Sequence, residues 1–179
     1  QDFAELARRI QPLEDIEATK RVKHQYFRCF DTADLAGLAE VFTDDVTLSV
    51  VGGVYAFTLE GKEGYLAMAR DGAHAEMVTQ HNGHHPEIDV VGEHEATGIW
   101  YLHDFVLEFR RKQAITGTAF YRDRYVKQGG RWKIRHTEFE RIYEISEPIE
   151  RRANVTFAAL ATRGHRLPPG DHAALRPRD

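Results

Sequence analysis

Three imidazoles fall close together in this chain, His81, His84 and His85 in the segment TQHNGHHPEI. Three histidines can hold a catalytic zinc ion, but this spacing matches no closed zinc motif. One catalytic imidazole and no metal is the expectation, because an ordinary histidine pKa of about 6.5 suits proton transfer at neutral pH. Periodicity does not single out one of the three, and Asn82 between them either orients a ligand or makes the turn. Other candidates are polar residues that interrupt apolar stripes, since a buried polar group is costly unless it is bonded or used. Tyr26 lies on the apolar face of the first long helical pattern, and Asp31 follows where that pattern ends. In the strand-like run from Thr97 to Phe109, one face carries Ile99, Tyr101, His103, Phe105, Leu107 and Phe109, the other Trp100, Leu102, Asp104, Val106 and Glu108. Asp104 there needs a His or Arg partner in a cavity, or solvent. His103 is cheaper to bury neutral and is read as a satisfied structural histidine. Cys29 has no evident base, and neither a G-x-S-x-G elbow nor a Gly-rich phosphate loop occurs, which disfavours nucleophilic and nucleotide chemistry.

The elements that must position these residues follow from periodicity. From Leu13 to Phe30, Ile16, Val22, Tyr26, Cys29 and Phe30 recur as one stripe of an amphipathic helix. Asp34 reads as the N-cap of a short helix through Phe42. DDVTLSVVGGVYAFTLEG gives two strands broken at Gly52-Gly53, and Gly61 to His74 returns to helix. The pattern is β from Val78 onward. One strand ends at Gly92, ATGIWYLHDFVLEFRR is a second, and TGTAFYRDRYVKQ and RWKIRHTEFERIYEI are joined through Gly129-Gly130, a tight-hairpin signal. Helices first and a run of antiparallel strands after predict an α+β fold. From Ser146 a proline-punctuated tail carries one apolar patch, VTFAALA, read as a partly ordered extension or as a cover for a pocket mouth or a neighbouring subunit.

Composition bounds the function classes. The 179 residues carry 24 basic and 28 acidic side chains, a net charge of −4, with 42% hydrophobic residues. Roughly 70% of the surface of such a chain can be buried, which leaves room for an internal pocket. A negative balance with interspersed basic residues gives no footprint for nucleic acid. No apolar run is long enough to span a membrane, and the N-terminus, although it has paired arginines, lacks the apolar region of a signal peptide. One cysteine excludes an internal disulfide and suits the cytoplasm. A small-molecule partner is the default.

The segments IEATKRVKHQYFRCFDTAD, LAEVFTDDV, TQHNGHHPEIDVVGEHEATG and YRDRYVKQGGRWKIRH, in that order, resemble the SnoaL-like branch of the nuclear transport factor two-like superfamily, which includes scytalone dehydratase, bile-acid 7α-dehydratase and hexachlorocyclohexane dehydrochlorinase. The resemblance covers about residues 13–145, leaving 1–12 as an N-terminal extension and 146–179 as a C-terminal one that forms a lid or interface segment. It implies a cone-like α+β barrel, a curved antiparallel sheet wrapped over N-terminal helices, with the ligand cavity between them. It also implies roles. Tyr26 matches the family's helix tyrosine, Asp31 the aspartate at the helix end, and His81 the catalytic histidine; Asp104 falls near a second acidic position. Arg141, with Arg135 as competitor, matches the arginine of the C-terminal strand.

This set suits cofactor-independent elimination of water from a hydrophobic, hydroxylated ring compound, steroid-like or polyketide-like. His81 takes the proton, Asp31 or Asp104 orients it, and Tyr26 bonds the carbonyl oxygen or the leaving hydroxyl. Arg141, Asn82, Tyr121 and Trp100 are candidate substrate contacts, with Phe57, Tyr65 and Tyr101 as further ring candidates. The alternatives are an isomerase, cyclase or dehydrochlorinase on the same fold, or a non-catalytic binding module. His81 held at hydrogen-bond distance from a carboxylate inside the cone separates enzyme from module. The resemblance also implies a homotrimer associated through the sheet.

Overall fold

A carboxylate starts the first helix earlier than its apolar stripe does. In the computed structural model, which describes residues 2–149 and 155–169, α1 spans Phe3–Asp31 because Asp2 accepts from the Ala4 N–H at 3.0 Å. Its first turns are exposed, and its buried face runs through Asp15, Thr19, Lys23, Tyr26, Phe27 and Cys29. That face is more polar than the apolar stripe predicted. The short helix α2 (Leu35–Val41) begins where expected, with the Asp34 carboxylate accepting from the Gly37 N–H at 2.9 Å.

Strands β1 (Phe42–Val51) and β2 (Ala56–Glu60) flank the Gly52-Gly53 break, and α3 (Lys62–Gly72) follows. Four long strands then complete the sheet: β3 (Met77–Gly92), β4 (Glu95–Glu108), β5 (Gln113–Gln128) and β6 (Arg131–Pro148). The six strands lie in the order β2-β1-β6-β5-β4-β3. The expected antiparallel run holds except between β1 and β6, which pair in parallel. A parallel pair requires a long connection between its strands, and everything from β2 to β5 supplies it here. At the β5–β6 turn Gly129 and Gly130 have φ of +58° and +78°, the left-handed backbone that a two-residue hairpin of matching twist demands. Register shifts in β1, β3 and β6 let the sheet curve. The result is a cone-like α+β fold with helices on the concave face.

Trp100, Leu102, Ala119, Tyr121, Tyr125, Trp132 and Ile134 from the sheet meet Phe27, Leu38, Phe42, Val46 and Tyr65 in one core. Along β4, Trp100, Leu102 and Asp104 turn inward, whereas His103 is exposed on the outer face. The expected structural burial of His103 is thus corrected: of two adjacent ionisable residues only one can face the core, and an arginine partner awaits Asp104 there. The outer face keeps Ile99, Tyr101 and Phe105 each 36% exposed.

Of the tail, residues 150–154 and 170–179 lie outside the described residues. The segment between them is fastened to the end of α3 and the start of β3. A short helix, α4 (Ala159–Arg163), buries Leu160, His165 O accepts from Ala75 N–H at 2.9 Å, and Pro168 O accepts from Arg110 at 2.8 Å. Phe157 of the apolar patch stays exposed.

Replacing Asp34 by Ala removes the α2 cap, and an N-cap of this kind contributes about 1 kcal/mol. The expected outcome is a drop in Tm of roughly 2–4 °C for a chain of this size, measured by thermal denaturation.

Candidate active site

The last residue of α1 carries a carboxylate at the negative end of the helix dipole, where an acid is disfavoured. Three donors from β3 compensate it. Asp31 Oδ1 accepts from the Thr79 hydroxyl at 2.8 Å and from His81 Nδ1 at 2.6 Å, and Oδ2 accepts from the His81 N–H at 2.9 Å. Burial alone pushes the Asp31 carboxyl up, but the His81 ring, its backbone N–H and Thr79 together hold it below the usual carboxylate range. An ionised carboxylate only accepts, so His81 Nδ1 carries the shared proton, and in the neutral imidazole Nε2 is then the nitrogen with the lone pair. Phe27 stacks on the imidazole at 12° and Phe30 meets it edge-on with centroids 5.1 Å apart. Gly83 lets Phe27 stand there: a Cβ at that position would lie 2.3 Å from the ring. The dyad keeps an exposed edge, with side chains 12% and 22% accessible for His81 and Asp31.

Deeper in the cone three phenols meet. Tyr65 donates its hydroxyl proton to the Tyr26 oxygen at 2.9 Å, and the Tyr26 and Tyr121 hydroxyls lie 3.3 Å apart. Burial raises the pKa of all three, those of Tyr65 and Tyr121 well above the ordinary value, so they stay protonated donors at neutral pH. Because Tyr26 oxygen already accepts from Tyr65, its own proton is available for another oxygen.

Two carboxylates competed for His81 on the sequence, and the structure separates them. Asp104 stands opposite His81 in the β3–β4 register, yet Arg141 takes both its oxygens at 2.5 and 2.8 Å. Arg141 also donates to Glu144 at 2.9 Å and lies over the Phe139 ring. A bidentate guanidinium is the strongest available partner for a buried carboxylate, so Asp104 is drawn to Arg141 and Asp31 is left as the orienting group. Arg135, the competitor, is exposed and pairs with Asp45 at 2.8 Å.

The remaining candidates fall elsewhere. Asn82 pairs in register with the outward His103, so it stands on the face opposite His81. Trp100 is a core side chain donating to the Tyr125 hydroxyl at 2.9 Å. His84 and His85 are exposed, and among the described residues no three His, Cys, Asp or Glu side chains gather as a metal would need. Phe57 and Tyr101 are exposed. Two open grooves, of about 570 and 400 Å³, are lined by Ala18, Val22, Val41 and Trp132 and by Thr47, Arg124, Arg135 and His136, away from the dyad.

Sequence reasoning missed Thr79, the ring cage of Phe27 and Phe30, the hydroxyl role of Tyr65, and above all Lys23. Its ammonium is fully buried, 2.9 Å from Asp123. The signal was available, since Lys23 stands four residues after Thr19 and four before Phe27 on one helix face.

The SnoaL-like domain matches residues 11–138. The chain belongs to the SnoaL-like family. Similar solved structures agree on the fold of this SnoaL-like domain. A Novosphingobium aromaticivorans protein provisionally assigned as a scytalone dehydratase is 22% identical, with a TM-score of 0.68 over 79% of this chain and 97% of that one. The LinA-type3 hexachlorocyclohexane dehydrochlorinase of Novosphingobium barchaimii is 20% identical, with a TM-score of 0.65 over 94% and 100%. A further Novosphingobium aromaticivorans protein, NTF2-like with a cystatin-like fold, is 19% identical, with a TM-score of 0.66 over 79% and 91%.

Two stability predictions follow from these pairs in the SnoaL-like domain. Because folding lowers the Asp31 pKa, its contribution is present above the unfolded value of about 4 and is lost as pH falls through the folded value. Urea unfolding between neutral and acid pH should therefore show a loss in the wild type that Asp31→Asn lacks. Arg141→Met strands a buried carboxylate and should cost about 3–5 kcal/mol, whereas Arg141→Met with Asp104→Leu should recover most of it.

Proposed function

We propose that this chain is a cofactor-independent lyase that removes water from a hydrophobic, hydroxylated ring compound, with His81 as general base. The observation that carries the reading is the short bond from His81 Nδ1 to Asp31, on an imidazole bordered by the Phe27 and Phe30 rings, which leaves Nε2 free of that bond. A histidine serving only as packing has no need of a carboxylate that is itself held by three donors. The arrangement supports an enzyme over a binding module.

In the proposed reaction Nε2 takes a proton from the carbon next to a carbonyl. The C–H electron pair moves onto the carbonyl oxygen as an enolate, which accepts the Tyr26 proton in a hydrogen bond. When the enolate collapses, the bond to the β-hydroxyl breaks, the leaving oxygen takes the proton held on the imidazolium, and water departs. Asp31 stabilises the imidazolium between the two transfers. LinA-type neighbours are named for loss of chloride, and the same base would serve that leaving group as well.

The test is a dehydration assay on 3-keto steroids and phenolic ketols. His81→Ala and Asp31→Asn should each lower turnover by roughly 10²–10⁴-fold while circular dichroism stays native. Wild-type rates from either folded variant would remove the dyad from the mechanism. The proposal extends to assembly. Ile99, Tyr101 and Phe105 with Tyr143 make an exposed apolar outer face that suits a trimer through the sheet, and sedimentation of a monomer at micromolar concentration would refute that.

A further inference from the structure

Among the described residues Lys23 is the one buried lysine, and the lyase reading above makes no use of it. Its Nζ lies 2.9 and 3.1 Å from the two Asp123 oxygens, 3.6 Å from the centre of the Tyr121 ring and 4.6 Å from that of Tyr26. Burial pulls its pKa down and Asp123 opposes that pull. The carboxylate is also bound from its other sides: Tyr125 donates to it at 2.7 Å and Thr137 at 2.6 Å. Asp123 is thus held by three donors, and the Lys23 ammonium lies over the Tyr121 and Tyr26 ring faces. The other two carboxylates that bear on the phenols are capped as well, Asp31 by Thr79 and His81, Asp104 by Arg141.

A cation on the face of a phenol ring makes its hydroxyl a stronger donor, and it does so most where water is excluded. We propose that Lys23 is a positioning residue that, acting through the Tyr26 and Tyr121 rings, turns the tyrosine triad into a site for a developing oxyanion, so that the substrate presents a carbonyl oxygen to Tyr26. This rests on the lyase reading and narrows its substrate class to β-hydroxy carbonyl compounds, in which an enolate forms, over halides that lack an activating carbonyl. An apolar residue at position 23 would satisfy packing against Phe27 and the rings without importing a charge. A charge placed under ring faces and tied at its back has a directional field that packing does not require.

The probe is 4-nitrophenol, whose anion imitates an enolate oxygen and absorbs in the visible. Bound to the wild type, it should ionise about one pH unit lower than free in solution, a tenfold gain for the anion. Lys23→Met should abolish that gain, and so should Lys23→Met with Asp123→Asn, which keeps the core neutral where the single variant fails to fold. Tyr26→Phe should weaken anion binding about tenfold. A wild type that binds no nitrophenol, or binds only its neutral form, overturns the proposal, as does a folded Lys23 variant with the full shift. The two readings fail separately. A wild type that dehydrates a ketol yet prefers the neutral phenol loses the Lys23 role and keeps the dyad, whereas anion binding without any turnover does the reverse.

Discussion

A helix that buries charge must find each charge a partner, and that requirement sets how α1 sits in the cone. Its inner side carries Asp15, Lys23 and Asp31, eight residues apart each time. Asp15 is met by Lys127 and Trp132, at 2.7 and 2.8 Å, Lys23 by Asp123, and Asp31 by Thr79 and His81. An unpartnered ion in this interior would cost several kcal/mol, so sliding the helix by a turn would break all three connections at once. Apolar packing tolerates such slides far better. The polar pins therefore give the helix one register, and that register delivers the Asp31 carboxylate to β3 and the Tyr26 hydroxyl to the phenol cluster.

The same logic divides labour among the carboxylates. Asp104 and Asp31 both lie near His81, but Arg141 offers Asp104 two parallel donors that imidazole cannot match. With Asp104 so occupied, Asp31 is left to fix the histidine tautomer. The site thus holds an orienting carboxylate near the surface and a second ion pair beside it that shapes the wall. Below both, the Lys23–Asp123 pair and the hydroxyls of Tyr26, Tyr65 and Tyr121 form one buried polar cluster.

Much of this was legible in the chain. Alternation along β4 and the glycine pair at the β5–β6 turn announced the strands, and the Asp34 cap announced α2, because these depend on local backbone preferences. The parallel pairing of β1 with β6 was not legible, since no local pattern records which distant strand a segment will lie beside. His103 illustrates a second limit. Two ionisable neighbours on one strand must face opposite ways, and periodicity offers no means of choosing until Arg141 is seen opposite Asp104. Asn82 followed the same rule, turned outward by its register with His103. Lys23 is not visible in a pattern of apolar stripes, because a lysine there reads as a gap, although its spacing puts it on the buried face.

The sequence by itself determined the α+β class, the helical position of Tyr26 and Asp31, and the family resemblance that singled out His81, because local periodicity and motif order survive without tertiary contacts. Only the tertiary structure decided which carboxylate holds His81, which side of β4 faces the core, and that a lysine lies beneath the tyrosines. Those outcomes depend on pairings between residues far apart in the chain, where the cost of an unpaired buried charge selects among arrangements that the local sequence leaves equal.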